Sequence, residues 1–394
     1  MTVMRIEAVD LFYLAMPEIT EDGDGSQDAL LVRVSAGGST GFGECEAAPL
    51  PSIAAFVCPK SHGACHNVGD SVLGARLDGP DDIVRIARRI AWSSMDLLQA
   101  AHTWSGIEMA LWDLLGRARG EPVWSLLGLV RSGRRVPYAS ALFGDTPQAT
   151  LSVARAQRAD GFRAVKFGWG PFGRGSIVDD ADQVHAAREG IGADGILLVD
   201  AGQIFGDDVE AAAARLPALE AAGATWLEEP FAGHAYEAYA ALAARCRSLR
   251  LAGGEAAHNA HMARHLMTYG GVGFVQIDCG RIGGVGPARE VAEMAAARGV
   301  TYVNHTFTSA LALSASLQPF ADAADGALCE YPVQLKPLAR DFTASRILRD
   351  ADGMVAAPDR PGLGIEIDRD AVRRYLVDAE LRAGGRVLYG TPAP

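Results

Sequence analysis

The sequence predicts an α/β protein organised around a closed (β/α)8-type barrel. After residue 134, short apolar segments alternate with alanine-rich helical stretches, and this alternation provides eight strands. The apolar segments have no solvated face, which favours a closed parallel barrel over an open sheet. Most of them end in a polar or charged residue. The predicted strands are 136–142, 164–168, 196–200, 225–228, 249–255, 273–278, 300–305 and 327–330.

The residues before the barrel predict an antiparallel layer with helices. Residues 5–14 and 29–34 have strand patterns, and a glycine-rich turn at 36–41 follows the second. Helical patterns begin after Pro80 and continue over 105–120, where apolar residues fall on one face. Two long loops, at residues 17–27 and 49–73, separate these elements.

We therefore expect three parts in the chain. Residues 1–132 form the antiparallel layer with its helices, residues 133–342 form the barrel, and residues 343–394 form a C-terminal segment. The C-terminal segment is irregular and strand-like, and we expect it to pack back on the first part.

Composition excludes several classes of protein. The 394 residues are 49% hydrophobic and carry a net charge of −12, which argues against a nucleic-acid or anionic-membrane partner. No apolar run approaches the length of a membrane span, and the N-terminus lacks the pattern of a signal peptide. Six scattered cysteines do not resemble a disulfide framework, so we expect a cytoplasmic protein.

Polar residues end seven successive barrel strands. In a barrel these strand ends meet at one mouth, which is the face that carries active sites. Any one of the acids alone could be a structural cap or an ion-pair partner. Three consecutive like charges need a cation among them, and oxygen ligands without cysteine indicate Mg²⁺. The seven residues are Lys166, Asp200, Glu228, Glu255, Asp278, His305 and Glu330.

Asp278 and His305 end neighbouring strands and predict an acid/base pair. A carboxylate behind an imidazole fixes its tautomer and raises its basicity, so that the other nitrogen can exchange a proton. Lys166 would add positive charge for an anionic substrate. Glu330, if protonated, would donate a hydrogen bond to a developing oxyanion.

Eight motifs are spread along nearly the whole chain. They are Ser105-Gly-Ile-Glu-Met-Ala-Leu-Trp-Asp113, Gly161-Phe-Arg-Ala-Val-Lys-Phe-Gly168, Leu198-Val-Asp-Ala201, Trp226-Leu-Glu-Glu-Pro230, Ala252-Gly-Gly-Glu255, Val275-Gln-Ile-Asp-Cys-Gly-Arg-Ile-Gly-Gly284, Val303-Asn-His305 and Pro361-Gly-Leu-Gly-Ile-Glu366. With these motifs the chain resembles the enolase superfamily, in its mandelate racemase and muconate lactonizing enzyme group. The resemblance implies a modified, TIM-type (β/α)7β barrel with an α+β capping domain built from both termini. It also implies Mg²⁺ held by Asp200, Glu228 and Glu255, and removal of the proton α to a carboxylate to give an enediolate.

One departure from the family pattern narrows the expected reaction. Many relatives carry Lys-x-Lys at the second barrel strand, and the second lysine is a base opposite the histidine. Here that position is Gly168, so His305 is the one evident base. The site then resembles acid-sugar dehydratases that rely on the His-Asp pair. We expect β-elimination of water from an aldonate or aldarate, a small-molecule carboxylate, in a homo-oligomer of two to eight subunits.

Two rival functions stay open. A racemase, epimerase or cycloisomerase of the same superfamily is the first, and it would need an undetected base opposite His305. The second is a non-catalytic, metal-binding relative.

Weaker signals lie outside the predicted site. Cys58, His62, Cys65 and His66 suggest zinc, but their spacing fits no common zinc site. Residues 280–286 superficially resemble a dinucleotide loop and are better interpreted as a barrel loop that positions Asp278.

Further expectations concern three side chains beside the predicted site and one histidine stripe. Trp169 and Phe172 either line the mouth or pack beneath it. We expect Glu229 to support the site through a contact with Lys166. His258, His261 and His265 form a helical stripe that we interpret as a solvated face.

Overall fold

The N-terminal part is an antiparallel sheet covered by helices, as the sequence predicts. The computed structural model describes residues 4–21, 23–46 and 48–394. Three antiparallel strands lie side by side in chain order: β1 (Ile6–Ala15), β2 (Asp28–Ala36) and β3 (Ser39–Cys45). The helices described between β3 and the barrel are α1 (Pro49–Val57), α2 (Gly69–Val72), α3 (Pro80–Ser93), α4 (Ala100–Arg119) and α5 (Val123–Leu126).

The prediction of a loop over residues 49–73 is wrong at both ends. Helix α1 begins with Pro49 at its first turn and α2 lies near the end of the segment. Because α1 is apolar around most of its circumference, its sequence shows no helical periodicity. Helix α3, in contrast, buries Ile83, Ile86 and Ile90 along one face, which is the pattern that predicts it.

Helix α4 lies directly on the sheet and is almost entirely buried. A Cβ atom at Gly41 would lie 2.2 Å from the Ala110 carbonyl oxygen, and one at Gly43 would lie 2.1 Å from the Gly106 carbonyl oxygen. The helix can therefore approach β3 this closely only because these strand positions are glycine. Gly120, with φ of 72°, ends the helix in the left-handed conformation.

The second part is a barrel of eight parallel strands, which confirms the predicted fold class. The strands are β4 (Val136–Leu142), β5 (Ala164–Gly168), β6 (Ile196–Asp200), β7 (Ala224–Glu228), β8 (Arg250–Gly253), β9 (Phe274–Asp278), β10 (Thr301–His305) and β11 (Leu328–Pro332). The sheet order is β10-β9-β8-β7-β6-β5-β4-β11, and its two ends meet through side-chain contacts between β10 and β11. The helices between them are α6 (Pro147–Ala159), α7 (Ile177–Ile191), α8 (Val209–Ala213), α9 (Leu216–Ala221), α10 (Tyr236–Ala243), α11 (Ala260–Tyr269), α12 (Val285–Arg298) and α13 (Ala310–Leu317).

A side chain closes the barrel where β10 meets β11. The Asn304 side-chain oxygen accepts from the Glu330 backbone N–H at 2.9 Å, and its amide nitrogen donates to the Glu330 carbonyl oxygen at 3.4 Å. The amide thus makes the two contacts that a neighbouring backbone would make. The Asn304 amide nitrogen also donates to Ser316 Oγ at 3.0 Å, which fixes the side chain from the following helix.

A separate apolar cluster fills the inside of the barrel below the mouth. Trp226 and Tyr138 pack edge to face with ring centres 5.5 Å apart. The Trp226 indole N–H donates to Glu228 Oε2 at 3.0 Å, so the core also orients one of the strand-end acids.

The C-terminal segment returns to the N-terminal layer, as expected. Helix α14 (Pro337–Asp341) follows the last barrel strand, and the elements of the C-terminal segment are α15 (Arg369–Tyr375), β12 (Glu380–Ala383) and β13 (Arg386–Gly390). Tyr389 donates its hydroxyl to the Leu11 carbonyl oxygen at 2.7 Å, and the Val377 N–H donates to the Tyr13 carbonyl oxygen at 2.8 Å. The residue limits of the three parts remain a prediction. Among the described residues, no helix combines the length and apolar character needed to cross a membrane.

Candidate active site

The predicted strand-end residues meet at the mouth of the barrel. Lys166, Asp200, Glu255, His305 and Glu330 line one cleft. Glu228 and Asp278 lie directly behind it, joined to cleft residues by the contacts described below. All seven side chains are buried or nearly so. Glu255 lies two residues beyond Gly253, where β8 ends, so the predicted strand over 249–255 is too long.

Lys166 is held among acids. Its Nζ lies 2.7 Å from Glu228 Oε1, 2.8 Å from Glu330 Oε1 and 3.7 Å from Asp200 Oδ2. Burial acts to lower the pKa of Lys166, but the surrounding carboxylates, Glu228 and Glu330 first, hold this pKa well above its ordinary value. The lysine is therefore a fixed positive charge at the floor of the cleft.

His305 lies between two carboxylates. Its Nδ1 is 2.7 Å from Asp278 Oδ2, and its Nε2 is 2.9 Å from Glu255 Oε2. Burial alone would lower the pKa of His305, yet Glu255, Glu330 and Asp278 together raise it well above the ordinary value. The Gly280 N–H donates to Asp278 Oδ1 at 2.6 Å, which fixes the carboxylate behind the ring.

Glu330 lies between two donors, Lys166 and the Thr306 backbone. Its Oε2 accepts from the Thr306 N–H at 2.7 Å, and its Oε1 faces Lys166 at 2.8 Å. Both carboxyl oxygens therefore face donors. A role as hydrogen-bond donor to an oxyanion would require Lys166 to change its partner.

The donor set fits a hard divalent cation. Six carboxyl groups lie among three basic groups here, so the acids outnumber the basic groups two to one. Burial, with repulsion from neighbouring acids, raises the pKa of Asp200 to about 7 and that of Glu228 to about 8, which a bound cation would reverse. The acids are Glu46, Asp200, Glu228, Glu255, Asp278 and Glu330, and the basic groups are Lys166, Arg281 and His305.

The described acids of the cleft are not arranged around a common point as the ligands of a metal ion would be. Among the residues that the structure describes, no three His, Cys, Asp or Glu side chains surround a common point in the manner of a metal site. Glu255 instead contacts His305 and Arg281, and Lys166 Nζ lies between Asp200 and Glu228. The predicted ligand set of Asp200, Glu228 and Glu255 therefore stays a prediction.

Two further residues of the cleft were not predicted from the sequence. Arg281 Nη1 lies 2.9 Å from Glu255 Oε1, and its Nη2 lies 3.2 Å from Glu46 Oε1. Burial, followed by the charge of Asp278, raises the pKa of Glu46 to about 8. Glu46 directly follows β3, so its position at a strand end was the available signal, although it belongs to the N-terminal layer.

The surroundings of Gly168 leave little room for the side chain of a second base at this position. A Cβ atom at this position would lie 2.8 Å from Asp200 Oδ2. Among the described residues of the cleft, Lys166 and His305 are the side chains that could exchange a proton as amine or imidazole, and Lys166 is tied to three acids. Among the described residues, His305 is therefore the one group of the cleft that is placed to act as a base.

The two aromatic residues have different positions. Trp169 lines the cleft, is 40% exposed, and adopts a left-handed backbone with φ of 57°. Its indole lies against Gly23 and Gly202, where an added Cβ atom would lie 2.7 and 2.8 Å away. Phe172 is buried and stacks on Phe143 with ring centres 5.4 Å apart, so it packs beneath the mouth.

The weaker sequence signals have structural explanations. The loop at 280–286 leads into α12, where Glu108 of α4 accepts from the Val285 and Gly286 N–H groups at 2.7 and 2.8 Å. Glu229 accepts from Gln203 at 2.7 Å, so its predicted contact with Lys166 is replaced by one with Gln203. The region of Cys58 and His66 forms no metal-ligand group within the described part of the chain.

Two members of the predicted histidine stripe have partners: His265 packs against the Tyr236 and Tyr269 rings, and His258 contacts another histidine. His258 Nδ1 lies 3.0 Å from His102 Nε2 of α4, so it contacts the N-terminal layer and is not simply a solvated side chain.

A parallel barrel that carries acids, a lysine and a His-Asp pair at its strand ends has the construction of a barrel enzyme. Residues 149–371 match the family described as enolase C-terminal domain-like, and residues 16–128 match the mandelate racemase / muconate lactonizing enzyme N-terminal domain. The chain belongs to this group of the enolase superfamily.

Named relatives include two kinds of acid-sugar enzyme. A D-galactarolactone cycloisomerase from Agrobacterium fabrum is 31% identical over 69% of this chain and 73% of its own length. A D-galactonate dehydratase from Xanthomonas oryzae is 33% identical over 68% of this chain and 72% of its own length. A solved structure described as a predicted mandelate racemase from Rhodobacter sphaeroides is 66% identical, with a TM-score of 0.95 over 99% of this chain and 100% of that chain.

Proposed function

We propose that the protein is a Mg²⁺-dependent dehydratase that converts a polyhydroxy acid sugar, an aldonate or aldarate, to a 2-keto-3-deoxy acid. The observation that carries the proposal is the one-sided base: His305 is backed by Asp278 at 2.7 Å, and Gly168 replaces the lysine that a two-base site needs. The relatives named as D-galactonate dehydratases support the substrate class.

His305 performs both proton transfers in this proposal. Its Nε2 takes the α-proton as the Cα–H bond breaks, while Asp278 holds Nδ1 and stabilises the imidazolium. The electron pair then expels the β-hydroxyl, which leaves as water with the proton from Nε2. The resulting enol tautomerises to the 2-keto acid.

Other residues bind the substrate and its developing charge. Lys166 faces the carboxylate from the floor of the cleft, at the position fixed by Glu228 and Glu330. A Mg²⁺ ion held by Asp200, Glu228 and Glu255 would supply further positive charge for the enediolate. Nε2 of His305 becomes available to substrate only when Glu255 turns away from it, because the two groups are now 2.9 Å apart.

A cycloisomerase is the second candidate. It also needs one base and an oxygen leaving group, and the D-galactarolactone cycloisomerase relative favours it. A two-base racemase is disfavoured by Gly168. The cytoplasmic location and the homo-oligomer expected from the sequence remain predictions.

The decisive experiment is a screen of acid sugars with Mg²⁺ in deuterated water. Formation of 2-keto acid and exchange of the α-proton are followed in the same samples. Keto acid from an open-chain acid sugar supports the dehydratase, and lactone rearrangement supports the cycloisomerase. Exchange with inversion and no keto acid would rule out dehydration. No reaction with any of the acid sugars would support a non-catalytic relative.

A further inference from the structure

Each basic group that lines the described cleft already has carboxylate partners. Lys166 lies against Glu228 and Glu330, and His305 lies against Asp278 and Glu255. Arg281 is shared between Glu46 and Glu255, as described above. Arg281 is the cation that Glu46, a residue of the N-terminal layer, contacts directly.

Glu46 holds Arg281 from the capping side of the cleft. Its side chain is only 5% exposed, and the loop that carries it lies close to the barrel loop after β9. A Cβ atom at Gly280 would lie 2.6 Å from Glu46 Cβ, and one at Gly25 would lie 3.1 Å from Glu46 Oε1. Glu46 is therefore locked between the two parts of the protein and cannot turn aside easily.

We infer that the cleft is selective for acid sugars with a single free carboxylate, and that Glu46 is the specificity-determining residue that excludes a second carboxylate by occupying Arg281. This inference rests on the proposed function. A first carboxylate has Lys166 and the predicted cation to bind. A second carboxylate would be buried beside Glu46 and Glu255 without an uncommitted cation among the described residues of the cleft.

Unlike a second carboxylate, the hydroxyl groups of a sugar find hydrogen-bond partners in this part of the cleft. A sugar hydroxyl donates readily to a carboxylate oxygen such as those of Glu46, and Ser140 and the indole of Trp169 also line the cleft. The end of an aldonate, which is a CH₂OH group, fits such a lining. The end of an aldarate, which is a carboxylate, does not.

The test compares matched substrate pairs that differ only at C6, such as galactonate with galactarate and gluconate with glucarate. For the wild-type protein with Mg²⁺, we expect kcat/KM to favour the aldonate at least 100-fold. Glu46→Gln should remove one of the two carboxylates that hold Arg281 and raise the aldarate-to-aldonate ratio at least tenfold, chiefly through a lower KM for the aldarate. Glu237→Gln, an exposed position on α10, is the matched control and should leave the ratio unchanged.

A double variant separates a direct effect from a structural one. If Glu46 acts by occupying Arg281, Glu46→Gln combined with Arg281→Gln should lose the gain for the aldarate. Melting temperatures show whether each variant is folded. A wild-type protein that uses the aldarate as well as the aldonate, or a folded Glu46→Gln with an unchanged ratio, overturns the inference.

The inference and the proposed function fail in different ways. Deuterium exchange at Cα measures selectivity even when no water is eliminated. Exchange that occurs with the aldonate but not with the aldarate, and that gives no keto acid, would contradict the dehydratase proposal and support the selectivity for a single carboxylate. If no acid sugar reacts, the rise in melting temperature caused by each member of the pair measures its binding. A rise with the aldonate alone supports the inferred selectivity for a single carboxylate. An equal rise with both compounds, or no rise with either, contradicts it.

Discussion

Among single side chains, Lys166 explains how a chain of net charge −12 can bury several acids in one place. Its ammonium group lies within 3.7 Å of three carboxylates, and Arg281 bridges two more. The two cations do not balance the acids, which leaves room for a divalent ion. We therefore assign proton transfer to His305, which lies on the other side of the cleft from Lys166.

Mutation of one predicted ligand should remove the response to metal. For the wild-type protein, Mg²⁺ at a hundredfold excess over its dissociation constant should stabilise the fold by about 2.7 kcal/mol and raise the melting temperature by several degrees. Glu228→Gln should abolish that rise. Glu229→Gln, the neighbouring acid that contacts Gln203, should keep it. An unchanged Mg²⁺ response in Glu228→Gln would mean that the ion binds elsewhere.

Mutation of the base should separate chemistry from binding. His305→Asn should lower kcat by about 10²–10⁴-fold, because the α-proton then has no acceptor. Its melting temperature should still rise with Mg²⁺, because His305 is not a predicted ligand. Asp278→Asn, which leaves the imidazole present but poorly oriented, should lose less activity. Loss of metal binding in His305→Asn would show that the histidine has a different role.

The sequence predicts the strand-end residues well because their signal is local. Lys166, Asp200 and His305 each lie at or near the end of a short apolar run, and their recurrence once per strand–helix unit places them at one mouth. Glu46 and Arg281 could not be paired in the same way. Their contact joins the N-terminal layer to the barrel across 235 residues of sequence, and no local pattern encodes how the two parts dock.

Among elements, the barrel strands were predicted and the apolar helix α1 was missed. Each barrel strand is short, apolar and bounded by turns. This pattern is enough to predict a buried strand even when polar and apolar residues do not alternate. Helix α1 is short and has no polar face, so periodicity could not reveal it. The closure between β10 and β11 was also beyond a local pattern, since it depends on the single amide of Asn304.

Replacement of Asn304 should weaken that closure. Asn304→Leu removes both contacts to Glu330 and leaves a buried N–H and carbonyl unpaired, so we expect a loss of about 2–5 kcal/mol in the free energy of unfolding. Asn304→Asp keeps the acceptor for the Glu330 N–H and should cost less. Urea unfolding followed by circular dichroism measures both. Equal stability of wild type and Asn304→Leu would show that the contacts contribute nothing.

In the whole molecule, the cap and the barrel are joined by buried polar contacts of helix α4. Glu108 accepts from the first turn of α12, and Asp113 accepts from the Phe42 and Leu363 N–H groups at 2.9 and 2.7 Å. Asp113 therefore connects the N-terminal sheet to the C-terminal segment. These residues belong to a motif that identifies the family, and their contacts indicate a role in assembling the fold.

A histidine pair at the same junction should make docking sensitive to pH. His102 of α4 and His258 of the loop after β8 have ring nitrogens 3.0 Å apart, and one of them donates to the other. Burial lowers the pKa of His102 to about 4, and the neighbouring His258 and Arg281 add to the effect, while Asp278 opposes it. Protonation of both rings would place two like charges in contact.

The sign of the pH effect follows from this lowered pKa. An unfolded histidine titrates near pH 6.5, so the pair contributes its full stability above that pH and loses it as the pH falls towards 4. Between pH 7 and pH 4, wild type should lose about 3 kcal/mol more than His102→Gln, which cannot be protonated. His261→Gln, at an exposed position on α11, is the control and should follow wild type. Urea unfolding at a series of pH values measures the difference, and parallel curves for wild type and His102→Gln would show that the pair does not couple docking to pH.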